Sequence, residues 1–195
     1  REIPPEYIVA GTTKIDLRRD IEEELRRKNF KLKEIRYREV GFNFSKIDKK
    51  LKLKITKYQA SDGDEYFLEI VNSENILFGL LRLRISDGKN SSPGLLQICL
   101  RNKCKPKLSA IIRELHIYGQ ALKLGEAGEI GQHTGLGKQL IAKAEEIAKE
   151  NNCEVLKIIS GVGVREYYEK LGYKLEKGEG EYLVKKISES TYAKN

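Results

Sequence analysis

Gln132 to Gly137 reads QHTGLG, and the residues that follow repeat apolar side chains at helical spacing: Leu136, Leu140, Ile141, Ala144, Ile147 and Ala148 share one face, with lysines and glutamates on the other. The helix therefore starts near Gly135. At such a start the first backbone N–H groups have no intrahelical partner, and the aligned peptide dipoles leave a partial positive charge that suits an anion. Gly135 and Gly137 have no Cβ to hold a phosphate-bearing group away, glycine accepts the positive φ of a tight cradling turn, and Lys138 adds a cation. Gln132, His133 and Thr134 complete the loop, where His133 shapes the turn rather than moving protons. The motif is not a Walker loop, since no G-K-[ST] follows, and it is not G-x-G-x-x-G. Glycine-rich strand-to-helix turns are common, so its meaning depends on its neighbours.

Upstream, Lys50 to Tyr58 alternates, with Leu51, Leu53 and Ile55 on one side and Lys50, Lys52 and Lys54 on the other, as a half-exposed strand does. Solubility and protection of a sheet edge explain this lysine ladder better than RNA contact. A turn at Ser61 to Asp64 leads to strands near Glu65 to Val71 and Asn75 to Ile85, and a second turn at Asp87-Gly88 leads to a weaker strand near Leu95 to Leu100. Ile111 to Tyr118 is the next strand, and Gly119 to Gly131 is a glycine-bearing loop. Beyond the helix come a strand at Val155 to Ser160, a short helix holding Tyr167 and Tyr168, and a final strand, with a polar tail from Ser188. The pattern predicts an α/β fold with a mixed sheet, divided into a basic linker segment (1–45, helix plus strand), a main domain (46–187) and a tail (188–195).

In the linker, Asp16 is expected to cap a helix over Leu17 to Asn29, whose narrow apolar stripe of Leu17, Ile21 and Leu25 runs beside Arg18, Arg19, Arg26, Arg27 and Lys28. Of the net charge of +8, nearly all lies here: residues 1–60 hold 17 Lys/Arg and 10 Asp/Glu. Such a surplus suits a polyanion such as RNA, or equally a solvated lysine–glutamate face.

A hydrophobic content of 39% is ample for a core, and no apolar run approaches the ~20 residues a bilayer demands, so no membrane is expected. Arg1-Glu2-Ile3-Pro4-Pro5 is not a secretory leader, and an initial Arg in a chain without Met reads as a C-terminal fragment. Cys99, Cys104 and Cys153 form neither CxxC pairs nor a zinc spacing; a reduced cytoplasmic protein without metal is the economical expectation, with a Cys99/Cys104 metal site as the weaker alternative.

The order strand, QHTGLG, amphipathic helix, strand VLKIIS, short helix, strand resembles the GNAT acetyltransferases, whose signature is Q/R-x-x-G-x-G/A. RELHIYG at Arg113 to Gly119, AEEIA at Ala144 to Ala148, ISGVG at Ile159 to Gly163 and REYYEKLGY at Arg165 to Tyr173 narrow this further. In that order they are similar to the acetyltransferase domain of the Elongator catalytic-subunit family, of archaeal-like type. The resemblance implies acetyl-CoA as cofactor and tRNA as partner. It also implies a radical SAM domain, with iron–sulfur cluster and S-adenosylmethionine, that lies outside this chain, and it leaves room for accessory subunits. The whole enzyme of that family builds a carboxymethyl group at carbon five of the wobble uridine. No C-x-x-x-C-x-x-C run is present, and Lys31 to Gly41 lacks the cysteines that bind zinc in some relatives. Arg18, Arg19, Arg26, Arg27, Lys28, Lys31, Lys33, Arg36 and Arg38 correspond to a linker that contributes to the tRNA surface in the family.

The same resemblance implies that RELHIYG and VLKIIS splay apart, so that pantetheine inserts beside the main chain of Glu114, Leu115, His116 and Ile117. Glu114 is either a general base, directly or through water, or a structural carboxylate paired with Arg113 or another cation. His116 is either a base or a packing residue. One of Tyr167 and Tyr168 is expected near the thioester sulfur, and Tyr168 is the choice; a phenol can protonate or hydrogen-bond a departing thiolate. Core packing is the competing role for both rings. A GNAT enzyme acting on a protein lysine or a small amine is the alternative to tRNA.

Overall fold

In the computed structural model the described residues are Tyr7, Val9–Gly11, Asp16–Phe30, Leu32–Asn43, Asp48, Lys50–Ser61, Gly63–Ser86, Leu108–Gly119, Gly135–Glu176 and Tyr182–Ile187. They fall into two units, one ending at Arg38 and the other beginning at Glu39.

The first unit holds helices α1 (Leu17–Arg27) and α2 (Ile35–Arg38). Asp16 does not cap α1 with its side chain; its backbone carbonyl accepts from Arg19 and Asp20 instead. The strand expected after α1 is also absent among the described residues, because α2 and a 3-10 turn at Val40–Phe42 take up that stretch. α1 ends where Asn29 turns left-handed at φ 54° and Phe30 N–H reaches back to the Leu25 carbonyl at 2.9 Å. The same ending recurs at Asn152 and Gly172, where Cys153 and Tyr173 N–H groups bond to the Ala148 and Tyr168 carbonyls.

The second unit is a seven-stranded sheet in the order β1-β2-β3-β4-β5-β7-β6. Its strands are β1 (Lys52–Ala60), β2 (Gly63–Val71), β3 (Leu77–Ser86), β4 (Ser109–Ile117), β5 (Val155–Ile158), β6 (Lys174–Leu175) and β7 (Leu183–Lys186). β1 to β4 run antiparallel in sequence, β4 and β5 pair in parallel, and the β5–β7 and β7–β6 pairs are again antiparallel. β1 is the sheet edge and departs from the half-buried pattern expected for it: Leu51 and Ile55 are exposed along with most of the lysines. Lys54 and Lys57 are tied across the hairpin to Glu69 and Asp64. The residues expected to form a turn at Asp87-Gly88, a strand at Leu95 to Leu100 and the loop after Gly119 lie outside the described residues, as do Cys99, Cys104 and the tail.

Helix α3 (Leu136–Glu150) links β4 to β5, and its six predicted core residues are all buried. It meets Ala110 and Ile112 of β4, Leu81 and Leu83 of β3, and Leu156 and Ile158 of β5 in one continuous core. Each fully buried Leu or Ile there contributes about 2 kcal/mol. Gly79 makes the close approach feasible: a Cβ on it would sit 2.8 Å from Ile117 Cδ1 and 3.4 Å from Leu140 Cδ1. The short helix α4 (Arg165–Glu169) follows β5 and buries Tyr168.

Candidate active site

β4 and β5 pair over only four positions, from Ser109 with Val155 to Ile112 with Ile158. One further bond, Ile159 N–H to the Ile112 carbonyl, closes the ladder. β5 then ends while β4 runs on to Ile117, held on its other side by β3. From Arg113 onward the β5-facing edge of β4 has no ladder partner among the described residues, and an unpaired edge of this kind is what an extended ligand can add to as a strand. This is the splay predicted between RELHIYG and VLKIIS.

The start of α3 lies at the same end. Gly135 is the N-cap in the left-handed region at φ 74°, with no side-chain capping bond, and its carbonyl accepts the first helical hydrogen bond from Gln139. The N–H groups of Leu136, Gly137 and Lys138 precede that bond and face the helix N-terminus, an arrangement that welcomes phosphate. Gln132, His133 and Thr134 lie outside the described residues.

The two tyrosines occupy different positions. Tyr168 is 6% exposed and belongs to the core, edge-on to Tyr173 at 6.3 Å and to Tyr167 at 5.2 Å. Its hydroxyl has no hydrogen-bond partner among the described residues, whereas the neighbouring Tyr173 hydroxyl donates to Glu145 at 2.8 Å. Burial, and secondarily the neighbouring Tyr167, raises the Tyr168 pKa, so the hydroxyl keeps its proton at neutral pH. Tyr167 is half-exposed, its pKa is raised by burial, and its hydroxyl rests against Gly137.

Glu114 and His116 point the other way. A bulge on β4 puts Leu115 and Ile117 on the core side with Tyr168, leaving Glu114 and His116 on the opposite face of the sheet. Glu114 pairs with Arg82 at 3.0 Å, so the cation foreseen as its partner is Arg82 rather than Arg113. His116 is exposed and stacks on Tyr118 with ring centroids 6.3 Å apart. Arg113 reaches instead to the buried Glu65, which also holds Arg84. Glu65 and Arg84 belong to no motif, although carboxylates four apart in EYFLEIV and arginines two apart in LLRLRIS recur on one face of otherwise apolar strands.

The basic residues of α1 are largely engaged with each other's neighbours. Arg18 bonds Glu22 and Glu34, Arg19 bonds Glu23, Arg27 and Lys28 share Glu24, and Arg26 bonds the Tyr37 hydroxyl at 3.0 Å. α1 therefore carries four arginines against four carboxylates and is neutral along its length. Lys33 and Arg36 are exposed in the segment that follows, Arg38 is half-buried, and Lys31 is outside the described residues. No cluster of three metal-ligating side chains occurs among the described residues, and no helix there is long and apolar enough to cross a membrane.

A parallel strand pair opening onto an uncapped helix start beside a tyrosine is the geometry of the GNAT acyltransferase fold, and residues 131–173 match the acetyltransferase (GNAT) family. It is similar to a tRNA uridine(34) acetyltransferase of Dehalococcoides mccartyi, at 40% identity over 91% of this chain and 38% of that protein. It is also similar to Elongator complex protein 3 of Schizosaccharomyces pombe, at 36% identity over 95% of this chain and 33% of that protein. Among solved structures, the archaeal Elp3 of Methanocaldococcus infernus with an N-terminal deletion aligns with 32% identity and a TM-score of 0.71, over 95% of this chain and 42% of that one. The chain thus spans between a third and two fifths of the length of these curated relatives.

Proposed function

We propose that this chain is the acetyl-CoA-binding half of a tRNA wobble-uridine-modifying enzyme of the cytoplasm. The single observation that carries the cofactor reading is the fork after Ile112 and Ile158, which leaves the β4 main chain without a ladder partner among the described residues, next to the uncapped start of α3. Acetyl-CoA, when bound, supplies an activated acetyl thioester. The β4 backbone from Glu114 to Ile117 holds its pantetheine arm as an added strand would, and the N–H groups at the start of α3, with Gly135, Gly137 and Lys138, receive its pyrophosphate. Tyr168 keeps a proton on its hydroxyl and presents it to the sulfur. Gln132, His133 and Thr134 complete the cradle in this reading. Tyr167 holds the first turn of α3 at Gly137, and Glu114 and His116 stand on the acceptor side.

The tRNA assignment draws on the relatives named for tRNA uridine(34). With a radical SAM domain supplied outside this chain, the acetyl group is destined for 5-carboxymethyluridine, and tRNA stimulates hydrolysis of acetyl-CoA. Lys33, Arg36 and Arg38, with the arginines of α1, form the proposed RNA contact. Hydrolysis of acetyl-CoA by the intact protein, measured with and without tRNA, tests the reading: a rate indifferent to tRNA, in a protein that does not bind it, removes the RNA assignment.

The internal pairing of α1 favours a second reading, since a neutral helix does not repel a cationic acceptor. Acetylation of a protein lysine or small amine would appear as sustained turnover on one amine in an acceptor screen.

A further inference from the structure

We infer that Glu65 is a positioning residue for the stretch of β4 that grips acetyl-CoA, an inference that rests on the cofactor reading above. The register between β3 and β4 is regular from Ser109 to Ile112 and again from Glu114 to Ile117, and Arg113 alone has no opposite residue. That extra residue inverts the alternation. Ala110 and Ile112 face the core before it, and Leu115 and Ile117 do so after it. Without the bulge Glu114 and His116 would turn into the core, and every main-chain group beyond would exchange edges. The bulge also falls one residue past the last β4–β5 pair, at the mouth of the fork.

Glu65 sits two strands away on β2, opposite Arg84 of β3. It is 2% exposed. One of its oxygens, Oε1, accepts from Arg84 Nη1 at 3.2 Å and from Arg113 Nη1 at 3.0 Å. The other, Oε2, is buried with no hydrogen-bond partner among the described residues. The whole charge therefore rests on two guanidinium groups, one in the regular ladder and one on the bulge. A carboxylate so deeply buried is tolerated only while it is held by such partners. The Arg113 side chain remains 41% exposed and has water as its alternative, so the Glu65 bond is what keeps it over the sheet. Through Arg113, the carboxylate fixes the point at which β4 changes frame and leaves β5.

The test uses the intact protein, with acetyl-CoA affinity from calorimetry and KM and kcat from acetyl-CoA hydrolysis, for wild type, Glu65→Gln, Arg113→Gln and Arg84→Gln. Glu65→Gln and Arg113→Gln are each expected to weaken acetyl-CoA binding and raise KM about tenfold with kcat within about twofold. The double variant should be no weaker than either single one, because both remove the same tether. Arg84→Gln leaves the tether in place; it should lower the melting temperature and keep the affinity of wild type. If Glu65→Gln fails to fold, Arg113→Gln carries the test, since it alters a half-exposed side chain. Wild-type affinity in a folded Arg113→Gln protein, or an equal loss in Arg84→Gln, overturns the inference and leaves the cofactor reading standing. Failure of the wild type to bind acetyl-CoA removes both.

Discussion

A Cβ placed on Gly137 would lie 2.8 Å from the hydroxyl oxygen of Tyr167, which makes the first turn of α3 and the helix after β5 neighbours at a distance only glycine permits. Because the obstacle is the far end of a half-exposed side chain, Gly137→Ala should cost under about 1 kcal/mol of stability as the ring swings aside. It should nevertheless weaken acetyl-CoA binding, since the methyl stands where phosphate is proposed to approach. Tyr167→Phe added to Gly137→Ala should relieve the crowding but not restore affinity. Denaturation midpoints and calorimetric titration of both variants decide this, and recovered affinity in the double variant would assign the effect to Tyr167 instead.

Gly135→Ala should behave differently. There is open space around the position, yet its φ of 74° disfavours any side chain, so the substitution should destabilise by about 1 kcal/mol. A urea titration that shows no loss contradicts it.

Tyr168→Phe removes a hydroxyl that bonds nothing among the described residues. Stability should hold within about 0.5 kcal/mol. Acetyl-CoA should still bind, and turnover should fall about a hundredfold. Retained turnover would exclude the phenol as proton donor.

The helix periodicity, the parting of RELHIYG from VLKIIS and the separate fates of two adjacent tyrosines differ in how far sequence could foresee them. The start and buried face of α3 were legible because six apolar side chains at one spacing admit a single face. Which tyrosine faces the core depends on the phase of a five-residue helix, too short for its own pattern to fix it. Arg113 looked like the natural mate of Glu114, but a bulge places consecutive residues on one face and hands each a different strand partner. The charge of α1 was less legible for another reason: a count over residues 1–60 together does not show the four carboxylates lying among its four arginines.

Glu145 accepts from the Tyr173 hydroxyl at 2.8 Å and from Lys185 Nζ at 2.9 Å, and Lys185 also donates to the Leu171 carbonyl. Glu145→Ala leaves a buried phenol without its acceptor and should destabilise by about 2–3 kcal/mol. Equilibrium denaturation checks this, with Glu145→Gln expected to recover part of the loss.

Burial pushes the Cys153 thiol up to about 11 from an ordinary 9.0. The fold thus favours the neutral thiol. Its contribution is complete below pH 9 and is lost as pH rises to 11, because the unfolded chain ionises first; the loss amounts to about 2–3 kcal/mol. Comparing wild type with Cys153→Ala at pH 8 and pH 10.5 isolates it, and parallel pH profiles for the two would contradict it.

The sheet is two antiparallel blocks, β1 to β4 and β5 with β7 and β6, sewn together by one short parallel seam. Amide exchange should therefore be slowest within each block and should change abruptly across Ile112 and Ile158. A seam this brief leaves the shared core as the larger tie: cut in the α3–β5 turn near Asn152, the chain offers halves whose reassociation depends on Ser109–Ile112 finding Val155–Ile158 and on α3 repacking against Leu156 and Ile158, and a molecule bridging the fork would act as the clasp that holds them.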